Sequence, residues 1–211
     1  MRLEPLPVIL ALALHTAVAQ AQRGGPLTHH VGIVPAQGGH PLVMALGDEL
    51  QLVAHRYRCH YDVCTIEKTN QTPRWVSESS SLSISTTGTV RADRPGVFPV
   101  RVRLGRLTGR DEVRVLPPVK DLGWTSRPVK LYVGDTLRIA VLARDSSGQV
   151  IGRLTLQGHN RGTGRSGEVL SYDDNGYTVL YIDQPGLVEL VGRLGHRSDT
   201  LRISAVARTK F

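Results

Sequence analysis

Gly47-Asp48-Glu49-Leu50-Gln51-Leu52 returns as Gly134-Asp135-Thr136-Leu137-Arg138-Ile139, 87 residues further along the chain. In each copy a Gly-Asp pair precedes an alternation of apolar and polar side chains, with Leu50 and Leu52 in the first and Leu137 and Ile139 in the second. An apolar period of two places one row of side chains on a single face, the mark of a half-buried β-strand. Gly47 and Gly134 supply a backbone angle that other residues resist, letting the chain turn into that strand. Further along, Pro95-Gly96 returns as Pro185-Gly186 after 90 residues, and Gly105-Arg106-Leu107 matches Gly192-Arg193-Leu194 after 87. A repeat of nearly 90 residues in a chain of 211 predicts two β-sandwich domains, each of roughly seven strands.

The residues around these motifs support the same reading. Val100, Val102 and Leu104 alternate with Arg101 and Arg103, Val113 and Val115 flank Arg114, and Leu201, Ile203 and Ala205 alternate with Arg202 and Ser204. Turn signals separate the runs, at Thr87-Gly88, Ser147-Gly148 and Asp174-Asn175-Gly176 among others. With 22 Gly, 12 Pro and no amphipathic helical stretch, the expected fold is all-β: two tandem immunoglobulin-like sandwiches. The expected boundaries are a signal peptide at 1–19, a flexible segment at 20–40, and domains at 41–117 and 118–208. The pair Pro117-Pro118 forms a stiff junction, since proline cannot donate a ladder hydrogen bond.

The first half also carries Trp75-Val76-Ser77, Thr87-Gly88-Thr89-Val90-Arg91-Ala92 and Pro95-Gly96-Val97 after Gly47-Asp48. In this order the motifs resemble bacterial immunoglobulin-like domains of group 2, common in exported and cell-surface proteins. The second half keeps Gly134-Asp135 and Pro185-Gly186 but has Leu156-Gln157-Gly158 where Trp-Ser stands in the first, and resembles a diverged relative. The resemblance implies architecture and location rather than activity. It implies structural roles for Gly47, Asp48, Trp75, Gly88, Pro95, Gly96, Gly134, Asp135, Pro185 and Gly186, with Trp75 as the anchor between the sheets.

Arg2, the apolar run Leu6–Ala19 and the small-residue triplet Ala17-Val18-Ala19 have the layout of a secretory signal. The run is shorter than the ~20 residues that span a bilayer, and the expected mature chain is exported, without a transmembrane segment. In an oxidising compartment Cys59 and Cys64 are expected to form a disulfide, worth about 2 kcal/mol for so short a loop. The alternative is a metal set of His55, Cys59, His60 and Cys64.

Catalytic motifs are missing from the sequence: neither a nucleophile elbow nor a zinc-protease helix nor a phosphate loop can be read in it. Gly162–Gly167 reads as a loop, Asp173-Asp174-Asn175-Gly176 as a turn with a cation site as its alternative, and His29, His30 and His40 as solvated imidazoles on the flexible segment. The expectation is a non-enzymatic surface, adhesion or spacer module that needs no cofactor or metal, meeting a protein or glycan at the cell envelope. The net charge of +8 opens a second reading. Arg101, Arg103, Arg106, Arg110 and Arg114 cluster in one hairpin, whose exposed face would attract anionic polysaccharide or lipopolysaccharide. Aromatics make up only 5% of the chain, which leaves nucleic acid without a stacking platform.

Overall fold

The computed structural model describes residues 27–36, 41–60, 63–154, 156, 168–172 and 177–208. Among the described residues the only regular secondary structure is β-strand. The first half contributes β1 (Thr28–Pro35), β2 (Leu42–Ala45), β3 (Leu50–His60), β4 (Val63–Glu67), β5 (Arg74–Ser77), β6 (Leu82–Ile84), β7 (Thr89–Ala92), β8 (Gly96–Leu104) and β9 (Leu107–Leu116). One sheet has the order β1-β3-β7-β6, with β4 on the far end of β3, and the other has the order β2-β9-β8-β5. All pairs are antiparallel except β2 with β9, which is parallel. If β1 and β2 are two parts of one first strand, these are the A-B-E-D and C-F-G sheets of an immunoglobulin sandwich. Leu50, Leu52, Val90, Phe98, Val100, Val102, Leu104, Val113 and Val115 fill the space between the sheets, as their alternation requires.

The second half follows this plan, without a counterpart of β5 among the described residues, with β10 (Asp121–Trp124), β11 (Lys130–Tyr132), β12 (Thr136–Ile139), β13 (Val141–Arg144), β14 (Val150–Leu154), β15 (Glu168–Tyr172), β16 (Thr178–Tyr181), β17 (Gly186–Leu194) and β18 (Arg197–Val206). β12 and β13 together stand for β3. β13 pairs with β10 and β14, as β3 pairs with β1 and β4, and β12 pairs with β16, as β3 pairs with β7. β11 runs parallel to β18, as β2 does to β9. The interruption falls at Ala140, whose N–H donates to Thr125 Oγ1 at 3.0 Å while its carbonyl accepts from the Thr125 N–H. Ile139, Val141, Leu180, Ile182, Val188 and Ile203 form the second core, completely shielded from solvent.

Gly47 and Gly134 have φ of +89° and +92°. In each case the following aspartate closes a tight turn, Asp48 N–H onto Ala45 O at 3.0 Å and Asp135 N–H onto Tyr132 O at 2.9 Å. The repeated hairpin is aligned differently from its sequence match. Leu104 faces Leu107 around Gly105, and Leu194 faces Arg197 around Gly195, with φ of +62° and +58° at the two glycines. Gly195 is therefore the counterpart of Gly105, and Gly192 lies inside β17. The true offset is 90, that of the Pro-Gly pair.

The stretch expected to be flexible, 20–40, contains β1, which pairs along its whole length with β3. Val31, Ile33 and Pro35 alternate inward and are buried. The polar Thr28, His29 and His30 before them, and the short apolar alternation, hide the strand in the sequence. The expected signal peptide lies outside the described residues.

Candidate anion-binding face and the seam between the halves

In the antiparallel β5-β8-β9 ribbon, residues opposite one another share a face. Val100, Val102, Leu104, Val113 and Val115 point into the core, so Arg101, Arg103, Arg110 and Arg114 point outward. Arg101 stands opposite Arg110, and Arg103 opposite Thr108 on one side and Arg74 on the other. The structure thus gathers Arg101, Arg103 and Arg110 and adds Arg74, which sequence reading missed. Arg114 stands opposite Val97, beyond the Glu112–Pro99 row, and Arg106 occupies the exposed hairpin turn.

Arg101 is half-buried and ion-paired with Glu78, while its Nε is shielded and has no hydrogen-bond partner among the described residues. Arg103 donates from Nε to Gly105 O at 3.0 Å. Arg74, Arg103, Arg110 and Arg114 have no carboxylate within ion-pair distance among the described residues. Val76, Arg101, Arg103, Thr108 and Arg110 line a shallow hollow of about 680 Å³.

A second constellation joins the halves. Val43 and Ala45 of β2, with Leu116 of β9, face away from the first core and are buried in the apolar cluster of the second half. Gly152 comes so close to Leu116 that a Cβ there would lie 2.9 Å from the leucine side chain. Beside this seam Asp48, with a side chain only 9% exposed, accepts from Arg197 Nη1 at 2.7 Å. His196 Nδ1 lies 3.7 Å from the other carboxylate oxygen. Gly195 brings the turn close enough that a Cβ would fall 2.5 Å from Asp48 Oδ2. The matching Asp135 instead accepts from the Tyr132 N–H at 2.9 Å and from Arg208 Nη2 at 2.6 Å. The Tyr132 N–H first, and Arg208 second, hold its carboxyl below the ordinary value of 3.8.

Cys59 and Cys64 face each other across β3 and β4 and are disulfide-bonded. The bond removes both thiolates from the alternative metal set, and no group of three or more His, Cys, Asp or Glu gathers to hold a metal among the described residues. His29 and His30, adjacent on a strand, point to opposite faces: His29 Nδ1 lies 3.3 Å from Glu67 Oε2, and His30 stacks on Tyr57. His40, Gly162–Gly167 and Asp173–Gly176 lie outside the described residues.

Trp75 differs from the expected anchor. It sits on β5, the edge strand of its sheet, where it is half-buried and packs on the first core. Its indole Nε1 lies 3.1 Å from the Cβ position of Gly88, so the Trp-Val-Ser and Thr-Gly motifs meet in space. The fully packed tryptophan is Trp124, 5% exposed in the second core, its Nε1 buried without a partner among the described residues. Gly96 and Gly186 open β8 and β17, as the Pro-Gly turns imply.

No family model matches the chain, and no curated protein does. Among solved structures, it is similar to surface layer protein SbsC, domains 1–6, at 16% identity and a TM-score of 0.34, over 89% of this chain and 29% of that one. The chain thus spans under a third of that structure's length. It is also similar to the Yersinia pseudotuberculosis adhesin InvE, at 14% identity and a TM-score of 0.33 over 83% of this chain and 58% of that one. A third similar structure is titin domains Z1Z2 in complex with telethonin, at 13% identity and a TM-score of 0.28 over 85% and 98%. The immunoglobulin-like assignment rests on the strand pairing described above.

Proposed function

We propose that this chain is an exported, non-enzymatic pair of immunoglobulin-like domains, related to group 2 of the bacterial kind, that serves as a surface, adhesion or spacer module at the cell envelope. The observation that supports it is the seam. A junction of buried Val43, Ala45, Leu116 and Val119 with the Asp48–Arg197 pair fixes one domain against the other, which suits a part that holds a distance or presents a surface. The signal-like layout of residues 1–19 supports export. The partner is a protein or glycan of the envelope, and the reading requires no cofactor.

The test is to express the full chain with a C-terminal tag, fractionate the cells and sequence the mature N-terminus. Cleavage after Ala19 and recovery from the envelope or medium is the expected result. An uncleaved cytosolic chain overturns it.

A further inference from the structure

We infer that the outer face of the β5-β8-β9 ribbon is a binding site for a linear anionic polysaccharide, held by Arg74, Arg101, Arg103 and Arg110. Like charges directly opposite one another destabilise a sheet. Two such oppositions occupy neighbouring rows here, Arg101 with Arg110 and Arg103 with Arg74. The core makes no demand for them, since all four side chains lie on the face away from it. Six arginines elsewhere, at 56, 91, 127, 197, 202 and 208, are each paired with a carboxylate. On this face, among the described residues, Glu78 answers Arg101 alone, and Glu112 one row away forms no ion pair with the four arginines.

The four arginines make a continuous band across the ribbon, from Arg110 on β9 through Arg101 and Arg103 on β8 to Arg74 on β5. Neighbouring strands are about 5 Å apart, and successive outward residues about 7 Å along a strand. A chain of carboxylates or sulfates laid along the band meets a guanidinium at each step, in the planar geometry that arginine offers such groups. It also relieves both repulsions. The hollow beside the band is lined by Val76 and Thr108 besides arginines, with no aromatic ring, and Trp75 packs on the opposite, core side. Bases have nothing to stack on here, which favours a sugar polymer over nucleic acid. Arg106 extends the positive field at the hairpin end, while on the other side the exposed Glu112 stands between Arg110 and Arg114 and bounds the site. This inference stands independently of the spacer reading.

The experiment measures binding of the mature chain to heparin, to polygalacturonate, to uncharged dextran and to single-stranded DNA across a salt series. The expected result is binding to one or both anionic polysaccharides and none to dextran. Arg74→Gln/Arg103→Gln and, separately, Arg101→Gln/Arg110→Gln each weaken that binding about tenfold and flatten its salt dependence. The first pair also raises the thermal midpoint, because the opposed charges are gone. Arg58→Gln/Arg193→Gln removes the same charge from exposed positions elsewhere and leaves affinity within twofold. Equal loss in this control, unchanged affinity in both band variants, absence of binding to either anionic polysaccharide, or tighter binding to the DNA overturns the inference.

Discussion

Arg197 Nη1 lies 2.7 Å from Asp48 Oδ2, joining positions 149 residues apart. Asp48 belongs to the Gly-Asp turn of the first half, and Arg197 opens the last strand of the second. The same turn motif in the second half directs Asp135 to Arg208 instead. One local device thus has two destinations, and in the first copy it ties the halves together at the edge of an apolar seam.

Removing one partner of this pair strands a charge that is largely out of water. Asp48→Asn or Arg197→Met is expected to lower unfolding free energy by about 2–3 kcal/mol, read by urea titration. Calorimetry should show the halves uncoupling into two transitions. Asp48→Leu/Arg197→Met, which leaves neither charge, should recover most of the loss. A double variant as unstable as the worse single one would contradict this account.

The disulfide closes a short loop at the outer end of β3 and β4. Reduction of the purified protein should add 2 Da, and Cys59→Ser/Cys64→Ser should cost about 2 kcal/mol. Hydrogen exchange should locate the loss in the β1-β3-β4 ribbon. Two free thiols in protein purified without reductant would count against the pairing.

The tryptophans should separate by environment. Trp124→Ala removes a side chain from the second core and is expected to cost about 3–5 kcal/mol, whereas Trp75→Ala, at a sheet edge, should cost less. The single-tryptophan variant Trp75→Phe should keep a blue-shifted emission from Trp124. Solvent-like emission from it would refute the packing described for Trp124.

Asp135 and Asp145 both have carboxyls held below their ordinary value. Asp135 is lowered first by the Tyr132 N–H and then by Arg208; Asp145 is lowered first by the Ser147 hydroxyl, then by nearby backbone N–H groups. A depressed folded value stabilises the fold above the unfolded value of 3.8, and the benefit is lost as pH falls through the folded value. Asp135→Asn and Asp145→Asn should therefore flatten stability against pH below about 4 and leave its slope near neutrality unchanged. Urea midpoints from pH 2 to 6 provide the check.

Much of the fold is legible in the chain because each strand faces a core on one side and water on the other. The alternation of Val100, Val102 and Leu104 with arginines fixes their faces without knowledge of the neighbouring strands. Arg74 could not be found this way. It meets Arg103 only through the β5–β8 register, and a lone cation beside Trp75 carries no pattern. The Asp48–Arg197 contact is equally silent, because it depends on how two finished sandwiches dock. Sequence matching misaligns the hairpin by three residues because Gly192 and Gly195 each precede a basic or imidazole residue, and only the pairing of Leu194 with Arg197 chooses between them. The inward alternation of β1 was masked by its polar entry.

The parallel pairing of β2 with β9, and of β11 with β18, bears on how a tethered molecule meets mechanical load. In each sandwich the second strand, β2 or β11, lies beside the exit strand, β9 or β18, and runs the same way. Tension that passes β1 or β10 and reaches this pair slides the two strands past each other and strains their cross-links together, rather than peeling them open one by one.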